Sequence, residues 1–173
     1  MDSDCVSGRL RKVFSWGCAR CFDKPVLRGL FACMNVEEYI PHRPPFLFVD
    51  RVVSCSEDSI VAERTWRADE DFYKGHYPEN PITPGVLLCE SVFQTAAILM
   101  AHRAKTGVDG KTAGVPVLAK IGATRFRRIV KPGETAVMEV SLKESMGAFH
   151  FMHGKITVGG KAALNVEFSI TMG

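Results

Sequence analysis

Residues 85–103 constrain the fold most, because they predict a helix that is apolar on nearly every face. The stretch from Val86 to Met100 holds eleven apolar residues, spaced so that they cover the whole circumference of a helix. A helix of this kind is buried rather than amphipathic. A chain of 173 residues is long enough for one well-packed domain and too short for two ordinary ones. A sheet must therefore wrap this helix.

The segments on both sides of the helix predict the strands of that sheet. The last one is the clearest, because apolar and polar residues alternate from Leu164 to Met172, and Gly159-Gly160 before it predicts a tight hairpin turn. The sequence thus predicts an α+β fold with one long central helix cradled by a strongly curved antiparallel sheet. The other predicted strands cover Phe46–Ser54, Ser59–Ala68, Val115–Ala123 with an extended continuation to Val130, a segment around Met138–Leu142, and Phe149–Val158.

Charge separates residues 1–33 from the rest of the chain. This segment holds six Lys/Arg and three Asp/Glu, a net charge of +3, whereas residues 34–173 hold sixteen of each. A neutral domain argues against nucleic-acid binding, which requires a basic folded face. We interpret residues 1–33 as a leader that is disordered or non-native, with Met34 as a natural first residue, and residues 34–173 as the domain. A transit peptide is the alternative, although three aspartates weaken it.

Cysteine usage divides the chain at the same place. The pair Cys18-x-x-Cys21 has the spacing of half a zinc site, but its partners Cys5 and Cys33 are irregularly spaced and no histidine is near, so we predict no metal. Only two cysteines follow in 140 residues, which indicates a reducing compartment and a cytoplasmic protein, or an organelle if the leader is a transit peptide. The longest wholly apolar run has six residues, so we expect no membrane span.

The segment 75–90 is the best candidate for a catalytic site. His76 lies in a loop stiffened by three prolines, and fourteen residues later Glu90 places a carboxyl group inside the apolar helix. Burying a carboxylate there destabilises the folded state, so its presence indicates a functional requirement. Burial also favours the protonated form of the carboxyl group. A histidine and a glutamate whose pKa values are shifted by their surroundings are typical catalytic groups for general acid–base chemistry. Gln94 lies one helical turn after Glu90 and is expected to orient it.

The chain from about Asn35 to Met172 resembles the 3-hydroxyacyl-(acyl carrier protein) dehydratases of dissociated, bacterial-type (type II) fatty acid synthesis, which have the hot-dog fold. Four residues depart from the family pattern and concern chain-length preference and pathway more than the reaction: Tyr77 replaces the commoner Phe, Glu79 replaces a Gly or a small or polar residue, and Ser91 and Phe93 replace smaller residues of the helix. Residues 1–33 have no counterpart in the family. Four motifs in matching order carry the resemblance: Ile40-Pro41-His42-Arg43-Pro44-Pro45-Phe46-Leu47-Phe48-Val49-Asp50-Arg51; Gly75-His76-Tyr77-Pro78 with Pro81, Pro84-Gly85-Val86-Leu87 and Glu90; Gln94; and Ala123-Thr124-Arg125-Phe126-Arg127-Arg128 with Val130, Pro132 and Gly133.

The resemblance implies elimination of water from a (3R)-hydroxyacyl thioester on acyl carrier protein, which gives a trans-2-enoyl thioester and needs no cofactor or metal. It implies that His76 removes the proton next to the thioester carbonyl. It also implies that Glu90, from a different subunit, protonates the departing hydroxyl. The active unit would then be at least a homodimer, with a trimer of dimers also open. Gly85 would offer its backbone N–H, at the positive end of the helix dipole, to the thioester oxygen.

A basic cluster near the end of the third predicted strand has two readings. Arg125, Arg127 and Arg128, with Lys131 nearby, form either a solvated strand face or a docking patch for an acidic carrier protein. The remaining histidines of the domain (His42, His102, His150 and His153) are interpreted as structural or surface residues. Two other functions stay open: a hot-dog thioesterase, which needs a carboxylate and a water but not His76, and a non-catalytic thioester-binding subunit.

Overall fold

A single helix lies against one face of a six-stranded antiparallel sheet in the computed structural model, which describes residues 34–108 and 114–173. The strand order is β1-β2-β4-β5-β6-β3. This arrangement confirms the predicted hot-dog fold. The leader, residues 1–33, lies outside the described residues. Its four cysteines, and the segment to which the zinc-site and transit-peptide interpretations apply, therefore lie outside them too. The elements are β1 (Arg51–Cys55), β2 (Ser59–Thr65), α1 (Gly85–Thr106), β3 (Pro116–Phe126), β4 (Thr135–Met146), β5 (Phe149–Val158) and β6 (Lys161–Met172).

The helix α1 forms the centre of the core, as its apolar circumference predicts. Thirteen of its 22 residues are buried, and it ends at Gly107, whose left-handed conformation (φ 79°) closes the last turn. By length and composition α1 could cross a membrane, with a mean hydropathy of 1.4. However, 67% of its most apolar window is buried inside the protein. We therefore assign α1 as a core helix covered by the sheet.

The sheet approaches α1 closely at Gly154 of β5. A Cβ atom at this position would lie 2.2 Å from Cγ1 of Val92, so only glycine allows the helix to pack at this depth. Val92 is two residues from Glu90, which corresponds to about 200° around the helix. Glu90 therefore lies on the side of α1 that faces away from β5.

The structure differs from the predicted secondary structure in the segment before β1. The predicted strand at Phe46–Ser54 begins only at Arg51, because the Phe46 carbonyl and the Phe48 N–H bond to the Gln94 side chain of α1 instead of to a neighbouring strand. A 3-10 turn, Val36–Glu38, precedes this segment, and in it the Asn35 side chain accepts a hydrogen bond from the Glu37 N–H. A second 3-10 helix, Asp71–Lys74, ends directly before the loop that carries His76.

The strand β3 is an exposed edge of the sheet. Among the strands that the structure describes it pairs with β6 alone, and ten of its eleven residues are exposed. Among them are the apolar residues Val117, Leu118 and Ile121. A long apolar edge strand with unpaired backbone groups is a template for pairing with another chain.

Candidate active site

The loop that carries His76 is fixed at both ends. On one side the backbone N–H of His76 donates to the Phe72 carbonyl at 2.9 Å, closing the 3-10 helix. On the other side the buried hydroxyls of Tyr73 and Thr83 lie 2.6 Å apart, and the Thr83 N–H donates to the Val130 carbonyl at 2.8 Å. Burial raises the pKa of Tyr73, although its hydrogen bond with Thr83 opposes the rise. The phenol is therefore a neutral anchor for the loop.

The side chain of His76 is half-buried and available for a ligand. Its ring meets the ring of Tyr77 edge to face, with centroids 4.7 Å apart. Tyr77 has a left-handed backbone (φ 52°), which is uncommon for a residue with a bulky side chain and sets the direction of the chain after His76. Within residues 34–108 and 114–173, the His76 imidazole forms no hydrogen bond or ion pair, so both ring nitrogens remain available to substrate.

Glu90 is oriented by Gln94, which also attaches α1 to the segment before β1. The Gln94 amide nitrogen donates to Oε1 of Glu90 at 3.0 Å and to the Phe46 carbonyl at 3.1 Å. Its amide oxygen accepts the Phe48 N–H at 2.8 Å. Gln94 is 1% exposed, whereas the Glu90 side chain is 24% exposed. The carboxyl group is thus fixed from inside the protein and open on its outer side.

A buried thiol lies beside the carboxyl group. Burial raises the pKa of the Cys89 thiol, and the charge of Glu90 adds to the rise. Cys89 is therefore held in its neutral form and packs as an apolar residue of the core.

His42, interpreted above as a structural or surface residue, lies beside Glu90. Its Nε2 is 3.8 Å from Oε1 of Glu90, the same oxygen that Gln94 contacts. A lone histidine gives no periodic pattern that could identify it. The available signal was its place in the Ile40–Arg51 motif, four residues before Phe46.

Gly85 is the first residue of α1, where backbone N–H groups have no partner within the helix. The structure supplies a packing reason for glycine that the sequence did not reveal. A Cβ atom there would lie 2.9 Å from Cε1 of Phe126, the last residue of β3. Phe126 is 52% exposed, so its ring has room to move.

If the Gly85 N–H binds a thioester oxygen, as the resemblance implies, replacing Gly85 by alanine should lower kcat/KM by about tenfold or more while leaving folding nearly unchanged, because the added methyl group crowds that N–H. Thermal unfolding and steady-state kinetics measure the two effects. The double variant Gly85→Ala/Phe126→Ala removes the ring. Recovery of activity in the double variant would show that the contact with Phe126, and not access of the thioester, is the reason why residue 85 is glycine.

The basic residues near the end of β3 divide into two kinds. Arg125, Arg127 and Lys131 are exposed. Arg128 is engaged within the protein, because its guanidinium donates to the Val158 carbonyl at 3.0 Å and forms an ion pair with Glu134. Arg128 therefore has a structural use, and the other three remain available at the surface.

The structure of one chain brings Glu90, Gln94 and His42 together but does not join His76 to them. Within the described residues, no hydrogen bond or ion pair links His76 with Glu90. Among the same residues, no group of three or more His, Cys, Asp or Glu side chains is placed to hold a metal ion. The site therefore presents an oriented carboxyl group and a separate, unpaired imidazole.

Comparison with known proteins identifies the family. Residues 40–167 match the model of the FabA-like domain. The chain is 37% identical over 139 residues to the 3-hydroxyacyl-[acyl-carrier-protein] dehydratase FabZ of Clostridium perfringens strain SM101, covering 80% of this chain and 96% of that protein. It is 37% identical over 141 residues to FabZ of Coxiella burnetii strain RSA 331, covering 80% and 97%.

A solved structure agrees with the fold. The dehydratase heterocomplex ApeI:P from Xenorhabdus doucetiae aligns with a TM-score of 0.70 at 17% identity, covering 81% of this chain and 91% of that one. At this identity the likeness concerns the fold alone. The family model and the curated relatives each span most of the domain, and the chain therefore belongs to the FabA-like family of 3-hydroxyacyl-[acyl-carrier-protein] dehydratases, which are hydro-lyases.

Proposed function

We propose that the chain dehydrates 3-hydroxyacyl groups carried on acyl carrier protein, and that each active site takes His76 from one copy and Glu90 from another. The observation that carries this proposal is a carboxyl group held inside an apolar helix by Gln94 and left open on its outer side. Membership of a dehydratase family supports the substrate class, which the names of the curated relatives state for those proteins.

The proposed reaction uses one base and one acid. His76 takes the proton from the carbon next to the thioester carbonyl, and the electron pair of that C–H bond forms the double bond. The bond from carbon 3 to its hydroxyl breaks, and Glu90 gives that hydroxyl a proton, so that water leaves. The N–H groups at the start of α1, near Gly85, stabilise the negative charge that develops on the thioester oxygen.

The edge strand β3 supports a homodimer. Its exposed apolar residues and unpaired backbone would be covered if a second copy paired along it. Phe126 at its end contacts Gly85, so pairing along β3 would bring the partner close to the start of α1. This geometry agrees with a site to which two copies contribute. We also propose a cytoplasmic location, with Cys55 and Cys89 as free thiols.

We propose that carrier protein docks on a basic rim formed by Arg125, Arg127 and Lys131. These three side chains are exposed, and two exposed apolar residues, Phe126 (52%) and Ile129 (58%), lie among them in the sequence. Such a mixture suits an acidic partner with an apolar contact surface, because the charges steer the encounter and the apolar groups hold the complex.

Charge reversal at the rim tests this docking surface. Arg125→Glu should lower kcat/KM for an acyl carrier protein substrate by about tenfold at low salt, because electrostatic steering of that size is lost. The difference should shrink as salt is added. A pantetheine-linked substrate, which lacks the acidic carrier, should be turned over at the original rate. Lys143→Glu on β4 is the matched control, and an equal loss there would assign the effect to net charge alone.

The reaction itself is tested with 3-hydroxyacyl carrier proteins of graded chain length. Enoyl formation is followed by absorbance and free thiol by a chromogenic reagent. We expect enoyl product without thiol release, together with a defined range of accepted chain lengths. Thiol release without enoyl product would instead identify a thioesterase, and binding without turnover would identify a non-catalytic subunit.

A further inference from the structure

The two carboxyl oxygens of Glu90 have different surroundings. Oε1 accepts a hydrogen bond from the Gln94 amide at 3.0 Å and faces Nε2 of His42 at 3.8 Å. In the part of the chain that the structure describes, Oε2 has no hydrogen-bond or ion-pair partner. One oxygen is therefore held by the protein and the other is left for substrate.

The surroundings of His42 determine where its proton resides. Its Nδ1 is buried and has no hydrogen-bond partner among the described residues. An N–H group at Nδ1 would therefore be buried and unpaired, which is costly. A neutral imidazole avoids that cost by carrying its proton on Nε2, the nitrogen that faces Glu90.

The position of His42 is fixed by the neighbouring chain. Arg43 donates to the His42 carbonyl at 2.7 Å and to the Ile40 carbonyl at 2.9 Å, and its Nε lies 3.2 Å from a carboxylate oxygen of Glu37. The His42 ring lies nearly parallel to the ring of Phe46, at 25° with centroids 6.3 Å apart. The Phe46 carbonyl is in turn bonded to Gln94. His42 and Gln94 are thus parts of one connected support beneath Glu90.

We propose that His42 is a positioning residue for Glu90, acting as a neutral ring protonated on Nε2. Together with Gln94 it directs hydrogen-bond donors at Oε1. The acidic proton is then carried on Oε2, the oxygen that protonates the leaving hydroxyl. This inference rests on the proposed function, because it assigns a support to the acid of that reaction.

The chemistry favours a donor at this place. When Oε2 gives up its proton, negative charge spreads over both oxygens of Glu90. The N–H of His42 stabilises that charge, and a shift of less than 1 Å brings the present 3.8 Å separation to hydrogen-bond length. Because this charge is absent while substrate merely binds, the contribution of His42 acts on the chemical step.

Kinetics of His42 variants test the proposal. His42→Ala should lower kcat by about ten- to a hundredfold, with KM within about twofold, since a misplaced catalytic group costs rate rather than binding. His42→Gln keeps an N–H near the position of Nε2. Its log kcat should lie at least halfway from the value of His42→Ala back to the wild-type value. His102→Ala, at the far end of α1, is the matched control and should leave kcat unchanged. Thermal unfolding of each variant identifies a loss that reflects folding.

Two further measurements separate the possible outcomes. Nitrogen-15 NMR of His42 should show the neutral form with its proton on Nε2, and a proton on Nδ1 would overturn the proposal. A wild-type kcat in His42→Ala would also overturn it, as would a folded His42→Gln no more active than His42→Ala. If His76→Ala and Glu90→Gln stay fully active, the proposed function fails. If those two lose activity while His42→Ala does not, only the role of His42 fails.

Discussion

Replacing His76 by alanine should lower kcat/KM for dehydration by about 10²–10⁴-fold, the usual contribution of a positioned general base. The loss follows because His76 is the group proposed to take the proton next to the thioester carbonyl. Enoyl formation from a 3-hydroxyacyl carrier protein measures it. Folding should be nearly unaffected, since within the described residues the His76 ring makes no hydrogen bond, and the ring of Tyr77 that it meets edge to face is itself exposed.

Tyr77→Ala is the matched control for His76→Ala. It removes the neighbouring ring, which is 62% exposed, and leaves the proposed base in place. We expect a much smaller loss of rate in this variant than in His76→Ala. Full activity in a folded His76→Ala protein would remove the proposed base and, with it, the dehydration mechanism described above.

Glu90→Gln should be as inactive as His76→Ala, and mixing the two inactive proteins should restore activity. If each site takes one residue from each copy, a mixed dimer contains one intact site and one doubly damaged site. Refolding the two variants together in equal amounts gives about half mixed dimers, so about a quarter of the wild-type activity should return. The rate of enoyl formation before and after joint refolding measures this recovery.

The same mixture distinguishes a site built from one chain. If His76 and Glu90 of one copy worked together, every site in a mixed dimer would carry one damaged residue and no activity would return. Joint refolding of Glu90→Gln with His76→Ala/Glu90→Gln supplies the control, because no pairing of those two chains contains an intact Glu90.

The core elements could be predicted from the sequence because their signals are local. The apolar circumference of α1 and the alternation in β6 each follow from a periodic pattern of side chains. The turn at Gly159-Gly160 also follows, since both residues adopt the positive φ angles (56° and 73°) that favour glycine.

The remaining features depend on contacts between distant residues. Phe46 and Phe48 have the composition of a strand, but their backbone groups bond to Gln94, more than forty positions away. The contact between Gly85 and Phe126 spans a similar distance, and so does the approach of His42 to Glu90. No local pattern records these pairs, so the sequence predicted Glu90 and Gln94 as neighbours on one helix and missed His42.

The hydrogen bonds of Gln94 have a consequence for how this position can change during evolution. Its amide already uses its one oxygen and both of its N–H groups, so no other side chain of similar shape can replace it. Glutamate would lack the donors, and methionine would lack both donors and acceptor. The same residue attaches the segment before β1 and bonds to Glu90, the proposed acid, so we expect inherited variation here to change folding and reactivity together. Selection cannot adjust one of these properties at position 94 without affecting the other.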